Sequence, residues 1–143
     1  MAKIKVMSDE SFAAKKRRDT ILIVEDNLLN LKLFRDLLKA KGYDVVDTQN
    51  GDEAVGLVKE YHPDLIVMDI QLHGISGYDI IKELKSDRLY SNIPIVAVTA
   101  FAMREDEEKI LASGCEAYIS KPISIEHFLQ TIKKHLKNED QKT

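Results

Sequence analysis

Residues 21–26 read Ile21-Leu22-Ile23-Val24-Glu25-Asp26: four aliphatic residues in unbroken succession, then two acids. A strand with one wet face alternates apolar with polar residues, so an unbroken apolar run belongs to a strand buried on both faces, as in a parallel sheet covered by helices. Four further runs of this kind follow: Val45-Val46, Leu65-Ile66-Val67-Met68, the stretch from Ile93 to Val98, and Tyr118-Ile119. Between them apolar residues recur at helical spacing. Leu33, Phe34, Leu37 and Leu38 form one such stripe, and Ala54, Leu57, Val58 and Tyr61 another. The clearest is Ile125, Phe128, Leu129, Ile132 and Leu136, preceded by Ser124 as an N-cap. Gly42, Gly74, Gly77 and Gly114 fall where helices start or stop, and Pro63 and Pro94 mark loops leading into strands. The alternation predicts an α/β fold: a (βα)5 doubly wound, parallel five-stranded sheet in the flavodoxin-like order 2-1-3-4-5.

The chain has 143 residues, enough for one domain at roughly 100–200 residues each. We expect that domain over residues 20–138, with a basic, disordered extension over 1–19 and a polar tail over 139–143. Cys115 is the single cysteine, which excludes a disulfide within the chain, and the four histidines form no zinc-type cluster with it. Its expected role is that of a small buried filler. No run approaches 18 apolar residues and no secretory core is present, so no membrane insertion and a reduced, cytoplasmic setting are expected. Net charge is −3, but residues 1–18 carry six basic residues against two acidic ones, leaving −7 for the rest. An acidic body argues against a nucleic-acid groove, because phosphate neutralisation supplies most non-specific binding.

In this strand order a ligand site lies at the carboxyl ends of strands 1 and 3. Strand 1 runs into Glu25-Asp26 and strand 3 into Asp69, so three carboxylates should meet there. Like charges so close cost free energy unless one acid is neutralised by a raised pKa or a cation binds. Magnesium suits such a site, because it takes one or two carboxylates directly and keeps water or phosphate oxygens in its other positions. Strand 4 delivers Thr99 to the same edge, and strand 5 delivers Lys121, followed by Pro122. A hydroxyl and an ammonium beside a metal-bound carboxylate suit phosphoryl transfer, where catalysis is mostly positioning and charge neutralisation. Asp69 is then the natural nucleophile. Each of these residues taken alone has an ordinary explanation as a cap or a solvated side chain; in order at the ends of four strands they form a set.

Ile23-Val24-Glu25-Asp26-Asn27, Met68-Asp69-Ile70-Gln71-Leu72, Val98-Thr99-Ala100-Phe101 and Tyr118-Ile119-Ser120-Lys121-Pro122 together resemble the two-component response-regulator receiver domain. The resemblance covers roughly residues 20–138. Within the family, the segments around Asn27–Phe34, Asp69–Leu72, Thr99–Met103 and Gly114–Ser124 look most like single-domain regulators of alphaproteobacterial cell division. The resemblance implies that Asp69 accepts a phosphoryl group from a phosphohistidine of a sensor kinase. It implies magnesium, with manganese as a possible substitute, held by Asp26 and Asp69, by Glu25 directly or through water, and by the backbone carbonyl of Gln71. Lys121 would pair with phosphoryl oxygens, Thr99 would follow the phosphoryl group, and Tyr118 would turn from exposed to buried. Lys121-Pro122 would be a cis bond.

One departure stands out: receivers usually carry proline four residues after the phosphorylated aspartate, and His73 fills that place here, followed by Gly74. Losing a fixed φ should loosen this loop, and His73 is a candidate modulator of partner choice or phosphoryl lifetime. Gln71 and Phe101, two residues beyond Asp69 and Thr99, should flank the path of an attacking water.

Only polar residues follow the last helix, so no output domain is expected and the output should be a contact made by the face of helix 4, strand 5 and helix 5. Implied partners are sensor histidine kinases or phosphatases and other signalling proteins, with the chain a monomer or weak dimer. The alternative role is a phosphorelay intermediate serving a histidine phosphotransfer protein. A haloacid-dehalogenase-type phosphatase needs a second Asp where Gln71 stands. An FMN carrier needs a phosphate-cradling loop where Glu25-Asp26 stands.

Overall fold

The computed structural model describes residues 17–100 and 104–136. Five strands, β1 (Thr20–Val24), β2 (Asp44–Thr48), β3 (Leu65–Asp69), β4 (Ile95–Thr99) and β5 (Ala117–Ser120), alternate with five helices. These are α1 (Leu28–Ala40), α2 (Ala54–Tyr61, entered through a 3-10 turn at Gly51–Glu53), α3 (Gly77–Ser86), α4 (Arg104–Ala112) and α5 (Ile125–His135). The sheet is parallel throughout and ordered β2-β1-β3-β4-β5, as the apolar runs predict.

Alternate strand residues point to opposite faces, and each face has its own core. Ile21, Ile23, Leu65, Val67, Val96, Val98 and Ile119 pack against α1 and α5, where Phe34 and Phe128 stack at 4.9 Å. Leu22, Val24, Ile66, Met68, Ile95 and Ala97 pack against α2, α3 and α4. The fold is therefore doubly wound, with two helices on one face and three on the other.

Three stripe positions turn out exposed: Leu33, Tyr61 and Ile125. The buried face of α1 is instead Leu31, Phe34 and Leu38, a narrower arc than the apolar pattern suggests. Strand β4 begins at Ile95 and not at Ile93. Pro94 has no N–H to give and serves the sheet only as the acceptor for Ile66 N, while Ile93 N bonds back to Tyr90 O. The loop before β4 is held by Lys85, whose Nζ donates to Ser91 O, Ile93 O and Glu116 Oε2 at 2.8–3.0 Å; Glu116 Oε1 in turn accepts from Ile95 N. Ser124 caps α5, its hydroxyl accepting from His127 N, and Cys115 is buried with its thiol donating to Ile110 O. Gly42, at φ +93°, ends α1 in a conformation that side chains rarely adopt. Residues 139–143, most of 1–19 and Phe101 lie outside the described residues; of the extension, Arg17 pairs with Asp64 at 2.9 Å. Among the described residues no helix is long and apolar enough to cross a membrane.

Candidate functional site

Parallel pairing brings the carboxyl ends of neighbouring strands to one edge. Val24 pairs with Met68, Asp69 with Val98 and Thr99 with Ser120, so the residues next in line, Glu25, Asp69, Thr99 and Lys121, arrive side by side. Glu25, Asp69 and Thr99 are all buried. Glu25, Asp26 and Asp69 each offer a carboxylate oxygen within 4.8 Å of the others. Lys121 Nζ stands 3.3 Å from Glu25 Oε1 and 3.6 Å from Asp69 Oδ2, one cation facing two buried acids. Backbone amides hold both carboxylates: Asn27 N donates to Glu25 Oε2 and Gln71 N to Asp69 Oδ1.

One cation does not neutralise this crowd. Burial, together with the hydrogen bond to and the charge of Asp69, raises the Glu25 carboxyl from 4.5 to about 7. Its Oε1 is buried and accepts no hydrogen bond among the described residues, despite the nearby ammonium. An orphaned carboxylate oxygen inside a cluster of hard oxygen donors fits a divalent cation, which would supply the missing positive charge.

The structure also brings in residues whose part the sequence did not reveal. The side chain of Gln71, considered above for its backbone carbonyl and its position beside the water path, spans to the next strand: Nε2 donates to Thr99 Oγ1 at 2.6 Å, and Oε1 accepts from Ala100 N at 2.9 Å. The readable signal was register, since a glutamine two residues past the end of β3 can reach the end of β4. Tyr118 is half-buried, and the nearby Glu107 carboxylate of α4 raises the pKa of its hydroxyl above the ordinary value. The peptide bond Lys121-Pro122 is cis.

His73 gives the loop after β3 a tie where the sequence suggests loosening. Its backbone N donates to Asp26 Oδ2 at 3.0 Å, a bond proline cannot make, and its exposed ring Nδ1 contacts the same oxygen. Both contacts compete with a cation for that oxygen. We therefore expect His73→Pro to bind Mn2+ about three- to tenfold more tightly, the equivalent of about one net hydrogen bond. Titration calorimetry checks this; weaker binding would mean that the contacts orient Asp26 for the ion.

An acid crevice at the carboxyl edge of a 2-1-3-4-5 sheet, with threonine ending β4 and lysine just after β5, defines a class of signalling receiver. The chain belongs to the response regulator receiver domain family, whose model matches residues 21–133. It is 57% identical over 117 residues to the polar-differentiation response regulator DivK of Brucella ovis, covering 82% of this chain and 95% of that protein. Among solved structures, a receiver domain of a Pseudomonas aeruginosa sensor histidine kinase, described with a magnesium ion coordinated in its active-site cleft, superposes with a TM-score of 0.76. The two are 30% identical over 82% of this chain and 96% of the other. A response regulator from Chloroflexus aurantiacus superposes at 0.80 with 26% identity, over 83% and 98% of the two chains.

Proposed function

We propose that the protein is a single-domain response regulator that takes a phosphoryl group onto Asp69 from the phosphohistidine of a sensor kinase. The observation that carries this reading is the placement of Asp69: a buried carboxylate 3.6 Å from Lys121 Nζ, inside a cluster of three acids. A carboxylate oxygen of Asp69 forms the new bond to phosphorus as the bond from phosphorus to the donor nitrogen breaks, and the imidazole leaves with the electron pair. Lys121 neutralises charge on the transferred oxygens. Asp26, Asp69, Glu25 and the carbonyl of Gln71 would hold Mg2+, with Mn2+ able to replace it. The bound cation would screen the attacking carboxylate and polarise the phosphoryl group.

Transfer changes what Thr99 and Tyr118 prefer to touch. Thr99 turns to the phosphoryl oxygens, Tyr118 leaves Glu107 and turns inward, and the surface of α4, β5 and α5 changes as a population shift that partners read. Those partners are sensor kinases and other signalling proteins in a cytoplasmic pathway. The name of the Brucella relatives supports a role in polar differentiation, in line with the cell-division regulators that the sequence resembles. Relay to a histidine phosphotransfer protein uses the same chemistry in reverse.

The test is the intact mass of the protein after incubation with a small acyl phosphate, in Mg2+ and in chelator. We expect gain of one phosphoryl group in Mg2+ only, removed by hydroxylamine as an acyl phosphate should be. No gain with either the small donor or an active histidine kinase would overturn the reading.

A further inference from the structure

The carboxamide of Gln71 touches Thr99 and Ala100 together, and its own backbone N–H holds Asp69. It thus joins the acid proposed to carry the phosphoryl group to the strand end proposed to sense it. We infer that the Gln71 side chain is a latch that holds Thr99 and the start of the loop after β4 in their resting position, and that phosphorylation must break it.

The geometry explains why the bonds compete with the phosphoryl group. The Ala100 N–H follows Thr99 at the carboxyl end of β4, the strand paired with the end of β3 that bears Asp69, and in the resting protein it is committed to Gln71 Oε1 and not free for a phosphoryl oxygen. The 2.6 Å bond from Nε2 ties the Thr99 hydroxyl oxygen to the β3 side of the crevice. A glutamine amide has one acceptor end and two donors, and here each end is used on a different group of the same two-residue segment. Withdrawing one end leaves the segment tethered by the other, whereas moving Thr99 and Ala100 together toward Asp69 costs both bonds. Each bond is a modest net contribution to the resting arrangement, and both are lost together. Gln71 is therefore a positioning residue that sets the gap between the resting and phosphorylated arrangements. This places its side chain against Thr99 and not only along the path of an attacking water.

The inference rests on the proposed phosphoacceptor role of Asp69, and the experiment keeps the two apart. Gln71→Met retains length and volume but removes both side-chain bonds; the backbone N–H to Asp69 stays. The probe is beryllofluoride with Mg2+, a non-transferable phosphoryl mimic, followed by 19F and 15N–1H NMR. In the resting state, without the mimic, we expect the Ala100 amide of Gln71→Met to exchange with solvent about tenfold faster than in the wild type and its resonance to shift. With the mimic, we expect the apparent dissociation constant to fall about tenfold in the variant, a shift of about 1.4 kcal/mol. Gln71→Glu, which keeps an acceptor for Ala100 N but no donor for Thr99, should restore the amide protection only.

Unchanged exchange in Gln71→Met would show that the bonds are not made and would overturn the latch. Faster exchange with unchanged or weaker mimic binding would show that the bonds do not oppose the switch, which overturns it equally. Failure of wild type and variant alike to bind the mimic would sink the phosphoacceptor reading, and the latch with it, while the exchange measurement would still report whether the bonds exist.

Discussion

Asp69→Asn is expected to take up no phosphoryl group from any donor and, in the absence of divalent cations, to be more stable than the wild type at pH 8. The loss of uptake follows from replacing the nucleophilic carboxylate by an amide, which has no oxygen able to form the acyl phosphate. The gain in stability follows from Glu25. In the wild type its carboxyl titrates at about 7 when folded, against 4.5 ordinarily, because of burial first and of Asp69 second. A carboxyl whose folded pKa is raised binds its proton more tightly folded than unfolded, so stability is greatest below about 4.5 and falls as pH rises toward 7. At about 1.4 kcal/mol per pH unit the full difference is on the order of 3 kcal/mol, of which only the part due to Asp69 is recovered by the variant.

Melts in chelator at pH 5.5 and pH 8 check this. The wild type should lose stability between the two, Asp69→Asn should lose less, and saturating Mg2+ should stabilise the wild type most at pH 8, since the cation takes over the neutralising role of the proton. A wild-type melting temperature that does not fall over this range would contradict the electrostatic account of the crevice.

Gly77→Ala is expected to cost about 3 kcal/mol, near the upper end for a methyl forced into a packed site, and to lower the melting temperature by roughly 10 °C. Gly77 opens α3 and donates its N–H to Ile70 O, so the helix starts directly on the end of β3. A Cβ there would sit 2.4 Å from Asp69 O, 2.8 Å from Ile70 Cα and 3.1 Å from Asp69 C. All three are backbone atoms at the end of β3, where the proposed phosphoacceptor stands, and no rotamer change can relieve them. The strand end must shift, so the same variant should bind Mn2+ more weakly. Gly56→Ala is the control: it lies in α2, a Cβ there meets nothing within 4 Å, and helix propensity predicts a gain of up to about 1 kcal/mol. Thermal unfolding and Mn2+ titration of the two variants read the contrast; equal melting temperatures would refute the close approach at Gly77.

The two glycines show where local reading stops. The sequence places Gly77 at a helix boundary and Gly56 inside a helix, but nothing within a few residues of either tells which one tolerates a methyl; what differs is that a Cβ on Gly77 would come within 2.4 Å of a strand end. His73 makes the same point from the other side. As a replacement for proline it reads as a loss of stiffness, yet the N–H that proline would lack meets Asp26 Oδ2, forty-seven positions away.

The sheet order, the two-sided burial of its strands and the meeting of Glu25, Asp26, Asp69, Thr99 and Lys121 at one edge were legible in the chain itself. Periodicity and apolar runs are local properties, and a parallel sheet converts them into position by a rule that needs no side-chain detail: every strand delivers its last residue to the same edge. The bonds within that edge were not legible. That Gln71 reaches Thr99 and Ala100, that Glu107 comes near the Tyr118 hydroxyl, that one oxygen of Glu25 accepts no hydrogen bond and that Gly77 cannot carry a methyl depend on separations of a few ångströms between residues distant in sequence. Hydrogen bonds and steric contacts change sharply over tenths of an ångström, and only the packed tertiary structure specifies distances that finely.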